Sequence, residues 1–409
     1  MVASWYRFFF AAGFRPFFLL AALHAAASGT VWALWLGLNS LGHDLALPIA
    51  PPPPLWHAHE MLFGFLSAAL TGFLLTAVPN WTGTAPVKGR WLLALVLLWL
   101  AGRVAFWLSG WLPPVAVIVA DTAFWPLLIW LIGSALFKAP TKRNQPFLIL
   151  LTLLWAGNLA DHLGIIGVLA DGGSLARQTT LNIIVLMMVI IGGRITPTFS
   201  RNWLVNHQAA LPPEALPWLE RATILSVIAV ALIDLLTTAL PEQTGLLIRA
   251  SIAALAAVLL GYRLWRWQPW RIAAEPLLWV LHLGVGWLAL GFALRAYAML
   301  SLAGPLSLPV LDLTAALHAH FIGAAGTLIL GVMGRASRGH SGLSLTAGRL
   351  MSFSYLLAGC AAVVRIVGPL LWTSSPLVAL SVAGTLFSIA YAVFLYDFIP
   401  VLLIKTSKQ

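Results

Sequence analysis

Apolar residues run through this chain in blocks of about twenty, separated by short polar stretches that carry glycine, proline and arginine. The blocks fall near residues 16–38, 57–79, 90–109, 114–137, 146–169 and 178–200. A second set falls near 216–240, 246–266, 277–299, 314–334, 349–372 and 375–403. A helix needs about 20 residues to cross a hydrocarbon core roughly 30 Å thick. The pattern therefore predicts an all-α polytopic membrane protein of about twelve transmembrane helices, in a single integral membrane domain spanning residues 1–409. The connections are short and leave no length for a sizeable soluble domain.

The basic residues predict the orientation. Of the 23 lysines and arginines, Arg103, Arg177, Arg249, Arg295 and Arg365 lie in spans or on one side. The others, from Arg7 and Arg15 to Lys405 and Lys408, gather at the alternate loops and termini, with Arg194 just inside. The excess of positive charge on the cytoplasmic side places both termini in the cytoplasm. No cleavable secretion signal is expected, because the apolar run that follows Arg15 continues to about Leu38 and is long enough to span. Trp56, Trp81, Trp203 and Trp372 near span ends fit an interfacial aromatic belt.

Composition removes several function classes. The 409 residues are 61% hydrophobic and only 9% charged, against roughly 25% charged in a soluble domain. A net charge of +11 would suit nucleic acid in a soluble protein. Here the basic residues sit in separate short loops, so the lipid bilayer is the expected partner and nucleic acid is not. Cys360 is the only cysteine. That excludes an intramolecular disulfide, a C-x-x-C-H haem attachment, a cysteine zinc site and a cysteine-ligated iron–sulfur cluster.

Polar chemistry nevertheless enters the spans. The stretch PPPPLWHAHEMLFGF at 51–65 carries His57, His59 and Glu60 at the head of the second block, and LHAHF at 317–321 repeats the device with His318 and His320. Threading the spans brings both pairs near the outer side. Asn158, Asp161 and His162 arrive there on the fifth span, Arg103 on the third and Arg295 on the ninth. His24 falls midway along the first span, His282 and His340 lie toward the cytoplasm, and His43 and His207 fall in loops. The H-x-H copies head the second and tenth spans, which does not match a six-plus-six repeat.

An ionisable group at a helix centre costs roughly 2.5–3.5 kcal/mol on insertion scales, and even neutral histidine needs a partner for each ring nitrogen. Residues two apart on an α-helix stand about 200° apart. Either the segment after the four prolines is not yet helical, or the two rings of each pair serve different sites. Neutral imidazole suits haem iron and copper; the plainer role is an interhelical hydrogen bond. His24 and His162 stand between these two readings. Arg103 and Arg295 are placed to meet haem propionates. Glu60 lies three residues after His57, placed to orient its ring or to take part in proton movement. IIGGRITPTF at 191–200 predicts a helix end near the cytoplasm, with Gly192 and Gly193 loosening it, Pro197 disrupting it and Arg194 snorkelling.

Four segments carry a family resemblance: FRPFFLL at 14–20, WHAHEMLFGF at 56–65, GFLLTAVPNWTG at 72–83 and MGRASRGHSG at 333–342. Together they resemble the NnrS family of bacterial membrane proteins, over nearly the whole chain. The resemblance implies a multi-pass protein of the bacterial inner membrane containing haem, with haem b the expected form, and copper. It also implies a role in the nitric oxide response, in denitrification and in protection against nitrosative stress. His57, His59 and Glu60 carry over as motif positions, and His318, His320 and His340 as matching positions with inferred roles, His340 as a further metal candidate.

The expected function is binding or conversion of nitric oxide at a haem held by outer-leaflet histidines. Whether the protein is a haem-dependent oxidoreductase, and which electron donor would serve it, stay open. One alternative is a membrane transporter of a metal, haem or metabolite, which calls for glycine- or proline-broken helices around a midplane site. Another is a haem sensor or accessory subunit without turnover.

Overall fold

The computed structural model describes residues 2–169, 172–236, 240–304 and 310–404. Most of the described residues are helical, with no strand among them, and the protein is an all-α polytopic membrane protein. Twelve long helices follow one another: α1 Phe14–Ser40, α2 Pro53–Thr82, α3 Arg90–Trp107, α4 Pro114–Leu136, α5 Pro146–Ile165 and α6 Gly172–Asn206. Then come α7 Pro217–Leu236, α8 Glu242–Arg266, α9 Pro276–Ala303, α10 Leu313–His340, α11 Arg349–Leu371 and α12 Pro376–Leu403. A short helix, Val2–Phe9, precedes them. Lys405 and Lys408, counted among the cytoplasmic charges, lie outside the described residues.

Eleven of the twelve are long and apolar enough to cross a membrane. The exception is α7, which carries Glu220, Arg221 and Asp234 within 20 residues. Two of these charges are met by the protein itself: Glu220 pairs with Arg263 and Asp234 with Arg295. Pairing of this kind removes much of the cost of placing a charge at membrane depth.

Three helices depart from the simple α pattern at places the sequence marks. In α2 the residues Glu60–Leu66 form a π-helical segment, and in α10 the residues Ala319–Ala325 do the same. The first begins one residue after His59 and the second one residue before His320, the second histidines of the two H-x-H pairs. Such turns re-aim the side chains around them and recur at functional sites. α4 breaks at Ala123, three residues before Pro126, directly after Asp121 and Thr122. The alternative in which His57 precedes the helix does not hold, because Pro53 and Pro54 occupy the first turn of α2 and His57 is already helical.

The expected helix end at 191–200 is also corrected. α6 runs on through Pro197 to Asn206. Proline lacks the N–H that would reach the carbonyl of Gly193, four residues back. That carbonyl instead accepts from Arg263 Nη2 at 3.2 Å. Gly193 leaves the room, since a Cβ there would lie 2.1 Å from the same nitrogen. Gly193 and Pro197 thus seat an arginine rather than end a helix.

The chain divides into two compact units. Unit 1 comprises residues 1–180, 333–345 and 388–409, and unit 2 comprises 181–332 and 346–387. Each holds one H-x-H pair and a buried arginine predicted to lie near the outer side, met by Glu60 and Asp121 in unit 1 and by Asp234 in unit 2.

Candidate metal centre

One cluster in unit 1 gathers side chains from six helices. α2 supplies His59 and Glu60, α1 supplies His24 and α3 supplies Arg103; all are buried. α4 contributes Asp121 at its break, α5 contributes Asp161 and His162, and α6 contributes Arg177. Every one of these residue types is costly at membrane depth when alone. Their contacts explain why they are tolerated together.

Glu60 is fully buried and engaged on three sides. Its Oε1 accepts from Arg103 Nη1 at 2.6 Å, and its Oε2 accepts from Trp107 Nε1 at 3.1 Å. His24 Nε2 stands 2.6 Å from Oε2. This approach depends on Gly64, where a Cβ would lie 2.3 Å from His24 Nε2 and 3.0 Å from Glu60 Oε2. Arg103 then reaches across to Asp121 through Nη2. Gly102, next to Arg103, lets Asp121 come close: a Cβ there would lie 2.9 Å from the Asp121 Cα.

His59 lies between two carboxylates. Nδ1 faces Asp161 Oδ2 at 2.8 Å and Nε2 faces Asp121 Oδ2 at 2.9 Å. His162 Nε2 reaches the same Asp121 oxygen at 2.7 Å. Arg177 Nη1 donates to the other oxygen of Asp161 at 2.5 Å. Phe106 stacks on the His59 ring at 3.9 Å between centroids. Trp56, Phe106 and Val117 form an apolar cluster with Trp32 and Trp107 packed on it. Apolar cover strengthens every electrostatic interaction beside it.

Ligand atoms of His59, Asp121 and His162 lie within 4.8 Å of one another, and all three residues are buried. Two imidazole nitrogens converging on one carboxylate oxygen form a donor set that suits first-row metals. The outward nitrogen of His59 meets Asp161, the carboxylate–histidine arrangement that orients a metal-bound ring. Charge points the same way. Among the described residues, Glu60, Asp121 and Asp161 face Arg103 and Arg177 alone as fixed positive charges, so the cluster lacks one positive charge, which a metal ion or a proton on a histidine would supply. Asn158 adds a further observation: it is fully buried, one turn before His162, and both its amide atoms lack a hydrogen-bond partner. Buried polar groups left this way ordinarily meet a ligand or water.

The remaining expected residues fall elsewhere. His57 is half-buried and stacks on Trp32 at 4.4 Å between centroids, so the two rings of this pair do serve different surroundings. In unit 2, His318 is half-buried, and its Nδ1 donates to the Thr314 carbonyl at 2.6 Å. The Nδ1–H tautomer puts the lone pair on Nε2. His320 is buried and places Nε2 3.2 Å from the Leu288 carbonyl. Arg295 is committed to Asp234 and Asn182, as Arg103 is to Glu60 and Asp121. His340, which belongs to unit 1, is exposed at the end of α10, its ring 5.7 Å from that of Phe14 in the same unit.

Asp121 and Arg177 are the site residues the sequence reading passed over. Asp121 left a signal: it is the lone charge in the apolar run PVAVIVADTAFWP, and such a residue is a functional candidate by default. Arg177 was visible only as a basic residue on the wrong side of the charge pattern.

No curated protein matches the chain. The family model described as NnrS protein matches residues 8–405, which is nearly its whole length. The chain belongs to the NnrS family.

Proposed function

We propose that this protein serves the nitric oxide response through a single redox-active first-row metal ion, copper or iron, held by His59, Asp121 and His162 in the bacterial inner membrane. Membership of the NnrS family supports a role in the nitric oxide response broadly. The observation that carries the finer reading is the convergence of His59 Nε2 and His162 Nε2 on one oxygen of Asp121.

When bound, such an ion supplies a site that coordinates nitric oxide, an apolar molecule able to enter from the bilayer. The protein's own groups do the rest. Asp161, oriented by Arg177, fixes the His59 ring by holding its Nδ1–H. Arg103 binds Asp121 and Glu60 together, so removing either carboxylate leaves it one partner. Asn158 offers a carbonyl and an amide group toward anything bound beside His162. Glu60 and His24, in contact at 2.6 Å, form a pair across which a proton can be held. Phe106, Trp56 and Trp107 cover the cluster with apolar surface.

The residue that fits a haem iron is His318, through Nε2, and a haem there supplies an iron that binds nitric oxide. Haem b at His318 would be a second group, tested independently of the metal centre. The electron donor for any turnover is left open by both.

The experiment is metal analysis and optical spectroscopy of the detergent-purified full-length protein, before and after nitric oxide, for wild type and His162→Ala. The expected result is one bound copper or iron in the wild type, a spectrum perturbed by nitric oxide, and loss of that metal in the variant. Equal metal content in both overturns the assignment.

A further inference from the structure

Unit 2 carries its own buried polar cluster, with the opposite charge imbalance. Asp234 on α7 pairs with Arg295 on α9 through Oδ2. Asn182 on α6 donates to the same oxygen at 2.7 Å and accepts from Arg295 Nη1 at 3.1 Å. Arg249 on α8 places Nε 3.8 Å from Asp234 Oδ1, beyond hydrogen-bond length, and that N–H is a buried donor without an acceptor.

Two guanidinium groups therefore share one carboxylate. The other charges predicted at this end do not correct the balance among the described residues. Asp312 acts electrostatically on Arg365, and Glu242 is exposed in the first turn of α8. A net positive charge left in a buried site at membrane depth is costly unless something anionic meets it.

Further unpartnered nitrogens lie along the same face of α9. Trp287, Gly291 and Arg295 follow one another at four-residue spacing, one turn apart. Gly291 admits the His320 ring, since a Cβ there would lie 2.5 Å from it. With His320 Nε2 donating to the Leu288 carbonyl, its Nδ1 keeps the lone pair and is a buried acceptor rather than a donor toward an anion, in a residue only 1% exposed. Trp287 is seated against Gly323 in the same manner, and its buried Nε1 also lacks an acceptor. The buried donors left without an acceptor here are Arg249 Nε and Trp287 Nε1.

We propose that unit 2 binds a small, planar, monovalent oxyanion, of the class of nitrite, nitrate or a simple carboxylate, between Arg249 and Arg295. The planar fork of a guanidinium matches two oxygens of such an anion, and it is the better cation for a site taken out of water. The anion brings the missing negative charge and gives Arg249 Nε an acceptor. This site does not depend on the metal centre of unit 1, and its test is separate.

The test is calorimetric titration of the full-length protein in detergent with sodium nitrite, sodium nitrate and sodium acetate, with chloride as the spherical control. The proposal expects saturable binding of the planar anions and weaker binding of chloride. Nitrite and nitrate against acetate separates an inorganic ligand from a carboxylate. Arg249→Gln, at a side chain still 23% exposed, is expected to weaken binding about tenfold or more, the effect of removing one nearby charge. Asp234→Asn removes the competing carboxylate and is expected to tighten it. His162→Ala, in unit 1, should leave anion binding unchanged. No binding by wild type overturns the proposal, as does binding that Arg249→Gln leaves intact or chloride binding as strong as that of nitrite.

Discussion

Asp121→Asn is the most discriminating change to unit 1, because it removes one charge and almost no volume. Asp121 is shared by three partners: His59 and His162 on one oxygen and Arg103 on the other. With asparagine, two carboxylates face two guanidinium groups, and the electrostatic demand for a cation disappears. A unit charge 4 Å away at an effective dielectric near 20 is worth about 4 kcal/mol. At about 1.4 kcal/mol per tenfold change, metal affinity should fall by roughly three orders of magnitude. Arg103 keeps Glu60 at 2.6 Å, so the fold is expected to survive, which a thermal melt checks. Metal content would be measured after dialysis against a mild chelator, alongside Asp161→Asn. Asp161 touches only the outward nitrogen of His59 within the metal group, so its loss should cost about 10- to 100-fold in affinity. Full metal retention by a normally folded Asp121→Asn protein, or a larger loss from Asp161→Asn than from Asp121→Asn, would refute the reasoning.

Other changes test neighbouring statements. Gly193→Ala puts a methyl group 2.1 Å from Arg263 Nη2 and should cost about 1–3 kcal/mol by forcing the guanidinium from its seat; an unshifted melting temperature would contradict that. His318→Ala should abolish or alter a haem Soret band in reduced-minus-oxidised spectra while leaving the unit 1 metal in place, and an unchanged band would remove His318 as axial ligand. His207→Ala should alter neither spectrum nor metal content, because His207 is exposed, stacks on Trp203 and bonds only its own helix.

The spans were legible because a membrane core imposes length and apolarity on every helix that crosses it. The same rule explains the one helix that escapes it: α7 carries charges whose partners, Arg263 and Arg295, lie 43 and 61 residues away in sequence. A local reading sees three ionisable residues and cannot see the pairing that makes them affordable at depth. The α6 segment shows the reverse error. Gly193 and Pro197 have local propensities that end helices, yet a distant arginine uses the carbonyl that the proline leaves free.

The site divides along the same line. His24, His59, Glu60, Arg103 and His162 were each visible as polar residues in apolar runs, and unit 1 brings all five together. Their roles were not visible, because a role depends on which carboxylate stands opposite. Arg103 suited a haem propionate only while Asp121 went unnoticed; with Asp121 and Glu60 on its two terminal nitrogens, its charge is already answered within the chain. The useful quantity is therefore the charge balance of each buried cluster rather than the identity of its histidines. The buried cluster of unit 1 is short of one positive charge and that of unit 2 is short of one negative charge. Membrane interiors penalise both deficits, so each cluster predicts the sign of what it binds before any ligand is identified.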